Sequence, residues 1–210
     1  MEESIRLVLA SASDARLRTL RRAGLHPEVI VSGVDEDLDP VDGVRELTAQ
    51  LAQLKAAAVS ARIDHETRTT VVIGCDSMLE LDGMGYSKPE TSTEAARRWQ
   101  QMRGRFGLLH TGHHLMLHEG TAITTRTAVA STLVHFADLT DEEIEAYVAS
   151  AEPLQVAGGF TIDGLGGPFI TGIEGDHHNV IGLSLPLLRT MLNELGISWP
   201  SLWRIKANPS

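Results

Sequence analysis

The sequence has a single cysteine, Cys75, so no disulfide can form within the chain. That usage fits a reducing compartment, and the expected location is the cytoplasm. Positive charge is scarce as well: 18 Lys and Arg stand against 28 Asp and Glu, a formal net charge of −10. This argues against a nucleic-acid polymer as partner, which needs a broad basic surface. It leaves open a small anionic ligand, which needs only a few local cations. No apolar run approaches the ~20 residues of a membrane span. The acidic start Met1-Glu2-Glu3-Ser4 does not read as a signal peptide, so no membrane partner is expected. There is no Gly-x4-Gly-Lys-Ser/Thr phosphate loop. Gly164-Leu165-Gly166-Gly167 is not a dinucleotide fingerprint, because no helix follows it in register. Internal repeats and low-complexity linkers are absent too. The remainder, 42% hydrophobic and 22% charged over 210 residues, suffices for one domain with a full core.

What is present begins with a strand, a small-residue turn and a helix within residues 5–23. Ile5 to Leu9 is a short apolar run of strand type. Ser11, Ala12 and Ser13 are small enough to let a bound group approach the backbone. Ser13 or Asp14 can cap the following helix, and Gly24 can end it. Arg16 falls in the first turn, where the helix dipole disfavours a cation. An anion bound there would remove the conflict, since free N–H groups and the guanidinium would both point at it. An ordinary turn with a solvated arginine fits the same residues.

The rest of the chain alternates strand and helix signals irregularly. Residues 28–34 predict a second strand, ending in the acidic loop Asp35-Glu36-Asp37-Leu38-Asp39-Pro40. Residues 44–61 predict a helix with the stripe Val44, Leu47, Leu51, Leu54 and Ala58, bordered by Lys55. A buried strand is expected from Thr70 to Leu81, with a hairpin at Asp82-Gly83 and a loop at Tyr86-Ser87-Lys88-Pro89. Thr93 to Met102 is a helix capped by Thr91 or Ser92. Long β segments follow at 106–118 and 121–136, joined at Glu119-Gly120. Thr140 opens a helix running to about Ser150, and a glycine-rich stretch from Gly158 to Gly175 contains a short strand at Phe169-Ile170. The last helix starts at Ser184-Leu185-Pro186 and closes at Gly196. Strict βαβ alternation is missing, which predicts an α/β fold with a mixed sheet in one domain of two lobes. The domain is expected over residues 1–196, with 197–210, carrying Trp199 and Trp203, as a C-terminal tail.

Polar residues at strand ends and turns sort into a cationic set, Arg16, Lys55 and Lys88, and an anionic set, Glu36 and Asp76. Hydrolysis of a polyphosphate needs both: cations neutralise phosphate oxygens, while carboxylates hold a divalent metal and deprotonate water. Magnesium suits this, since it takes one or two carboxylates plus substrate oxygens. Asp76 follows Val71-Val72-Ile73-Gly74-Cys75 directly and so would sit at or inside a buried strand, where a charge needs a partner or a metal. The bland alternative is a turn cap outside the sheet. Glu36 reads equally as a solvated loop residue, Lys55 as a rim lysine, and Lys88, held extended by Pro89, as a surface lysine. His110, His114 and His118 share a strand face, but about 13 Å separates the first two, too far to ligate one metal. His177-His178 reads as loop polarity and Cys75 as a small core residue.

Taken in order, these segments resemble the Maf family of nucleoside triphosphate pyrophosphatases. The matching stretches are Leu9-Ala10-Ser11-Ala12-Ser13 with Arg16; Val34-Asp35-Glu36; Leu51-Ala52 with Lys55-Ala56; Ile73-Gly74-Cys75-Asp76-Ser77; Asp82-Gly83; Lys88-Pro89; and Thr111-Gly112. They continue through Ala157-Gly158, Gly164-Leu165-Gly166-Gly167, Gly175-Asp176, Asn179-Val180-Ile181-Gly182-Leu183 and Leu185-Pro186-Leu187-Leu188, spanning residues 5–196. The resemblance implies an inosine triphosphate pyrophosphatase-like fold: a long curved mixed β-sheet with flanking helices and two lobes around a deep cleft. It implies cleavage of a nucleoside triphosphate at the α–β linkage, a divalent metal (Mg²⁺, with Mn²⁺ as the alternative), a cytoplasmic location and a homodimer. It implies Asp76 as proton acceptor, Glu36 as the acidic residue of the Asp-Glu motif, Arg16, Lys55 and Lys88 as phosphate contacts, and Ser11 and Ser13 as the lining of the phosphate loop; with the charge sorting, Glu36 and Asp76 are the expected metal ligands.

The chain also departs from that pattern. Ser-Pro-Arg-Arg is usual where this chain has Ser13-Asp14-Ala15-Arg16, so one arginine is absent and an aspartate stands near the expected phosphates. Asp163 occupies the position that carries glutamine in the thymidine/uridine-preferring branch and glutamate in the 7-methylguanosine-preferring branch. A carboxylate only accepts hydrogen bonds, so Asp163 as a substrate contact would favour a base edge rich in donors; as a turn cap before Gly164 it would do nothing of the kind. The missing arginine keeps open a second expectation, a nucleotide-binding regulatory protein linked to septum formation with little turnover. A nucleotidyltransferase is disfavoured because Ala10 to Arg16 contains no glycine.

Overall fold

The computed structural model describes residues 5–36, 43–64 and 68–203. Residues 1–4, 37–40 of the acidic loop and 204–210 of the tail therefore lie outside the described residues. The first strand, β1 (Arg6–Ala10), leads into α1 (Asp14–Arg22), whose N-cap is Ser13 and not Asp14; Gly24, at φ +84°, follows its end. The second strand, β2 (Glu28–Val29), is much shorter than residues 28–34 predict, because it pairs with β1 only through Val8 and Leu9. Helix α2 (Val44–Ser60) is followed by β3 (Thr70–Leu81) and β4 (Met84–Tyr86). Asp82 and Gly83 both have positive φ, the conformation a two-residue hairpin of this twist requires. Next come α3 (Ser92–Met102), capped by Thr91, then β5 (Phe106–Glu119) and β6 (Ala122–Phe136). Helix α4 (Asp141–Ala149) opens on a reciprocal capping box between Thr140 and Glu143. The last elements are β7 (Ile170–Glu174), α5 (His177–Ile181) and α6 (Leu185–Glu194). Residues 177–181 are thus helical, not a polar loop: the Asp176 carboxylate accepts from the His178 N–H and starts the turn.

These strands form one mixed sheet in the order β2-β1-β3-β5-β6-β7, with β4 pairing β3. β1 is parallel to β2 and β3, and the other pairs are antiparallel. One face is covered by α2, whose Ala56 and Val59 meet Val8, Ala10 and Val72, and whose Val44, Leu47 and Leu51 meet Met78. The stripe of α2 is rotated from the sequence expectation. Leu54 is exposed and Ala58 half-buried, while Ala52, Lys55 and Ala56 face inward. The opposite face carries two separate cores. In one, Leu20 of α1 and Leu188, Met191 and Leu192 of α6 pack on Leu9, Ile73 and Leu115; Ile197 and Leu202 join this core from beyond α6. In the other, Trp99 and Met102 of α3 and Ile144 and Tyr147 of α4 pack on Leu79, Leu109 and Val134. No helix among the described residues is long and apolar enough to cross a membrane.

His113 ties the first core to α6. Its Nδ1–H donates to the Thr111 carbonyl at 3.0 Å, and its Nε2 accepts from the Ser184 N–H at 2.9 Å. The bond from Ser184 requires an unprotonated Nε2 and so the neutral ring, and burial, reinforced by the Arg16 charge against the opposing pull of the Thr111 bond and Asp176, lowers its pKa to about 4. The unfolded ring takes a proton near its ordinary value of 6.5. Between these two values the unfolded chain binds more protons, so the His113 contribution is present above pH 6.5 and is lost as pH falls toward 4. Its loss is on the order of 3 kcal/mol. Denaturant unfolding across that range should show a shallower acid loss in His113→Gln than in the parent protein.

Candidate active site

The cleft opens where the edge of β3 is unpaired. β1 covers that edge from Thr70 to Gly74, and β4 covers it from Leu79 to Leu81. Residues 75–78 between them have no strand partner on that side among the described residues. Side chains alternate along β3, so Asp76 points toward α2 and Ser77 toward the opposite face. Asp76 is therefore inside the strand, not in a turn, and only 4% exposed.

Two glycines bring α2 down onto it. A Cβ on Gly74 would stand 2.1 Å from the Ala52 carbonyl, and one on Gly112 would stand 2.1 Å from that of Thr48. Gly112 pairs with Asp76 across the β3–β5 ladder and so faces the same way. With the helix backbone this close, Lys55, three residues beyond Ala52, reaches the Asp76 Oδ1 at 2.6 Å. Lys55 is buried rather than lying at the rim. Its Nζ also meets the Glu36 Oε1 at 2.7 Å, so the two carboxylates converge on one ammonium. Burial pushes the Asp76 carboxyl above the usual carboxylate range, opposed by the charges of Lys55 and Arg16 and assisted by that of Glu36.

Arg16 lies on the other face of β3, folded inward and 9% exposed. Nε donates to the Gly182 carbonyl at 2.7 Å, Nη1 to the Cys75 carbonyl at 2.9 Å and to the Ser11 Oγ at 3.1 Å, and Nη2 to the Ser77 Oγ at 2.9 Å. Four of its five N–H groups are thus used within the protein. Ser77 lies 2.9 Å from the Thr111 hydroxyl, which in turn donates to the Asn179 carbonyl. Asn179, fully buried, donates to Leu109 and Thr132. Ser11 accepts from the Ser13 N–H, and Ser13 from the Arg16 N–H, so the turn is preformed.

Ser11, Ser13, Arg16, Glu36, Lys55, Asp76 and Ser77 line a cleft of about 260 Å³ together with Lys88 and Asp163. All the sequence-predicted site residues, Ser11, Ser13, Arg16, Glu36, Lys55, Asp76, Lys88 and Asp163, border the same space. Lys88 and Asp163 are exposed at its lips. Sequence reasoning missed Glu152. Its carboxylate accepts from the Tyr147 hydroxyl, the Thr161 hydroxyl and the Leu165 and Gly166 N–H groups, fixing the wall that carries Asp163. The available signal was the glycine run after it, whose backbone donors need an acceptor. Tyr147, held in this group, has its hydroxyl proton bound more tightly by burial.

Residues 6–195 match the family of Maf-like proteins. The chain belongs to the Maf family. It is 56% identical to the nucleoside triphosphate pyrophosphatase of Salinispora tropica, over 95% of this chain and 88% of that one. It is 54% identical to the protein of the same name from Streptomyces avermitilis, over 94% of each. Among solved structures, a nucleoside-triphosphatase/dITP/XTP pyrophosphatase from Mycobacterium abscessus is similar at a TM-score of 0.39 and 15% identity, over 90% of this chain and 97% of that one.

The Maf-like loop of this chain resolves one of its departures by orientation. Ala15 borders the cleft and Asp14, exposed at the helix start, does not. The close approach of α2 is the feature most sensitive to substitution. Gly74→Ala or Gly112→Ala should cost about 1–3 kcal/mol from overpacking. Either should also lower turnover by separating Lys55 from Asp76, as read by denaturant unfolding and by steady-state kinetics on the same preparation.

Proposed function

We propose that this chain is a nucleoside triphosphate pyrophosphatase, hydrolysing the α–β phosphoanhydride to a nucleoside monophosphate and pyrophosphate. The observation that carries the reading is a buried carboxylate, Asp76, on an unpaired strand edge, held by Lys55 and facing a cleft bordered by the start of α1. The phosphates lie against the turn at residues 10–16, where the first N–H groups of α1 favour an anion. Asp76 accepts a proton from the water that attacks the α-phosphorus, and burial makes it a better base than a solvated aspartate. Lys88 offsets charge on the pyrophosphate as it leaves, while Lys55 holds Asp76 in place.

Asp76 and Glu36 fit a divalent metal. Both line the cleft and both meet the Lys55 ammonium, so a divalent ion would be held beside that ammonium and not in its place. Two carboxylates completed by substrate oxygens suit magnesium, with manganese as the alternative, better than a closed zinc site. When bound, the cation supplies charge neutralisation at the phosphate oxygens. The reaction belongs in the cytoplasm, in keeping with a lone buried cysteine whose thiol is pushed by burial to about 11 and stays unreactive. Asp163, an acceptor at the lip, favours a base edge rich in donors, such as guanine N1–H and N2–H₂, over thymine.

The test is pyrophosphate release with Mg²⁺ across common and modified nucleoside triphosphates, beside Asp76→Asn. One substrate should be preferred, and the variant should lose roughly 10²–10⁴-fold in kcat while nucleotide binding is largely kept. Near-normal turnover in the variant would remove Asp76 as the base. No release from any substrate, with binding intact, would replace the enzyme with a nucleotide-binding regulator.

A further inference from the structure

Among the described residues four cations border the cleft: Arg16, Arg18, Lys55 and Lys88. They are not equally available to a ligand. Arg16 donates to Gly182, Cys75, Ser11 and Ser77, and Lys55 is held between Asp76 and Glu36. Arg18 and Lys88 are exposed, and neither forms an ion pair or hydrogen bond among the described residues. They approach from different lobes: Arg18 from α1 on the first core, Lys88 from the loop after β4, whose Tyr86 packs on the second. A polyphosphate entering a chain of net charge −10 needs free cations, and among the described residues these two are the free ones at the cleft.

Local geometry favours Arg18. It lies three residues after Ala15, and residues so spaced share a helix face. Both border the cleft. The methyl group of Ala15 leaves the approach from Arg18 open, where a longer side chain would stand in its path. Asp14, four residues before Arg18, forms no ion pair with it among the described residues and does not line the cleft.

We infer that Arg18 is a phosphate-binding residue, gripping the polyphosphate of the substrate from the second turn of α1. This rests on the triphosphate reading above. A guanidinium there offers paired N–H donors to phosphate oxygens, which Lys88, a point charge, cannot.

The experiment compares the parent protein with Arg18→Gln. Calorimetry measures the affinity of each for inorganic triphosphate and for a non-hydrolysable nucleoside triphosphate at low and high salt. KM and kcat for pyrophosphate release are measured alongside. The variant should bind both probes roughly tenfold more weakly at low salt, the size of one charge-assisted contact. The difference should shrink at high salt, and the kinetic loss should fall on KM rather than kcat. Adding Ala15→Arg should restore affinity from the neighbouring position on the same face. Unchanged affinity and KM in a variant that still turns over would overturn the role of Arg18 and leave the pyrophosphatase reading standing. Weakened binding in the variant of a protein that releases no pyrophosphate would do the reverse.

Discussion

Asp76 and Lys55 lie 2.6 Å apart and almost entirely out of solvent, and the site exists because that pair could be buried. Taking two charges from water costs several kcal/mol per ion, offset only by close geometry and further partners. Here the geometry comes from the backbone. Gly74 and Gly112 remove two side chains from the sheet, α2 settles onto the bare strands, and its lysine arrives over the aspartate. Glu36 supplies the ammonium with a second acceptor from the rim. Once sealed, neither partner can be lost cheaply, because the other would remain as an uncompensated charge.

The cleft has an equally simple origin. β1 ends at Ala10 and β4 pairs with β3 only from Leu79, so on that edge a stretch of β3 is left without a neighbour among the described residues. On the face away from α2, the two cores built by α1 with α6 and by α3 with α4 are separate clusters. The ligand space follows from these two discontinuities. Arg16 joins the sides of the first by binding the backbone of β3, the Ser11 turn and the end of α5 at once. Its inward turn also removes the conflict of a cation in a first helical turn, because carbonyl and hydroxyl acceptors stand in for the expected anion.

Most of the fold was legible because its signals are local. Thr70 to Leu81 is a long apolar strand closed by Asp82-Gly83, and Ser184 followed by Leu185-Pro186 is a helix start that depends on few distant contacts. The failures were set by tertiary context. Strand β2 stops after two residues because its pairing with β1 ends at Leu9 with Val29, a limit that residues 28–34 do not carry in themselves. The stripe on α2 was misread at Leu54 and Ala58 because Lys55 was assigned to the rim. A lysine in the middle of a buried face contradicts hydropathy unless its carboxylate partner, 21 residues away, is known. Asp76 itself was readable, since a charge after a buried β run demands a partner. Glu152 was not, because its four donors come from three separate segments.

The cations show why residue type alone does not give role. Arg16, Lys55 and Lys88 form one set in the sequence, yet the fold spends the first two on its own carbonyls and carboxylates. A side chain with its donors satisfied and its surface buried has little left to give an incoming anion without breaking what holds it. The charge that meets a ligand first comes from residues the fold has not used, and these stand at the lips of the cleft, where solvent screening keeps them inexpensive to expose. In a chain with ten more acidic than basic residues, placing such cations at the mouth concentrates a favourable local field against an unfavourable overall one. Selection among anions then depends on which lip residue can offer paired donors rather than a single charge, and that is a property of the second turn of α1.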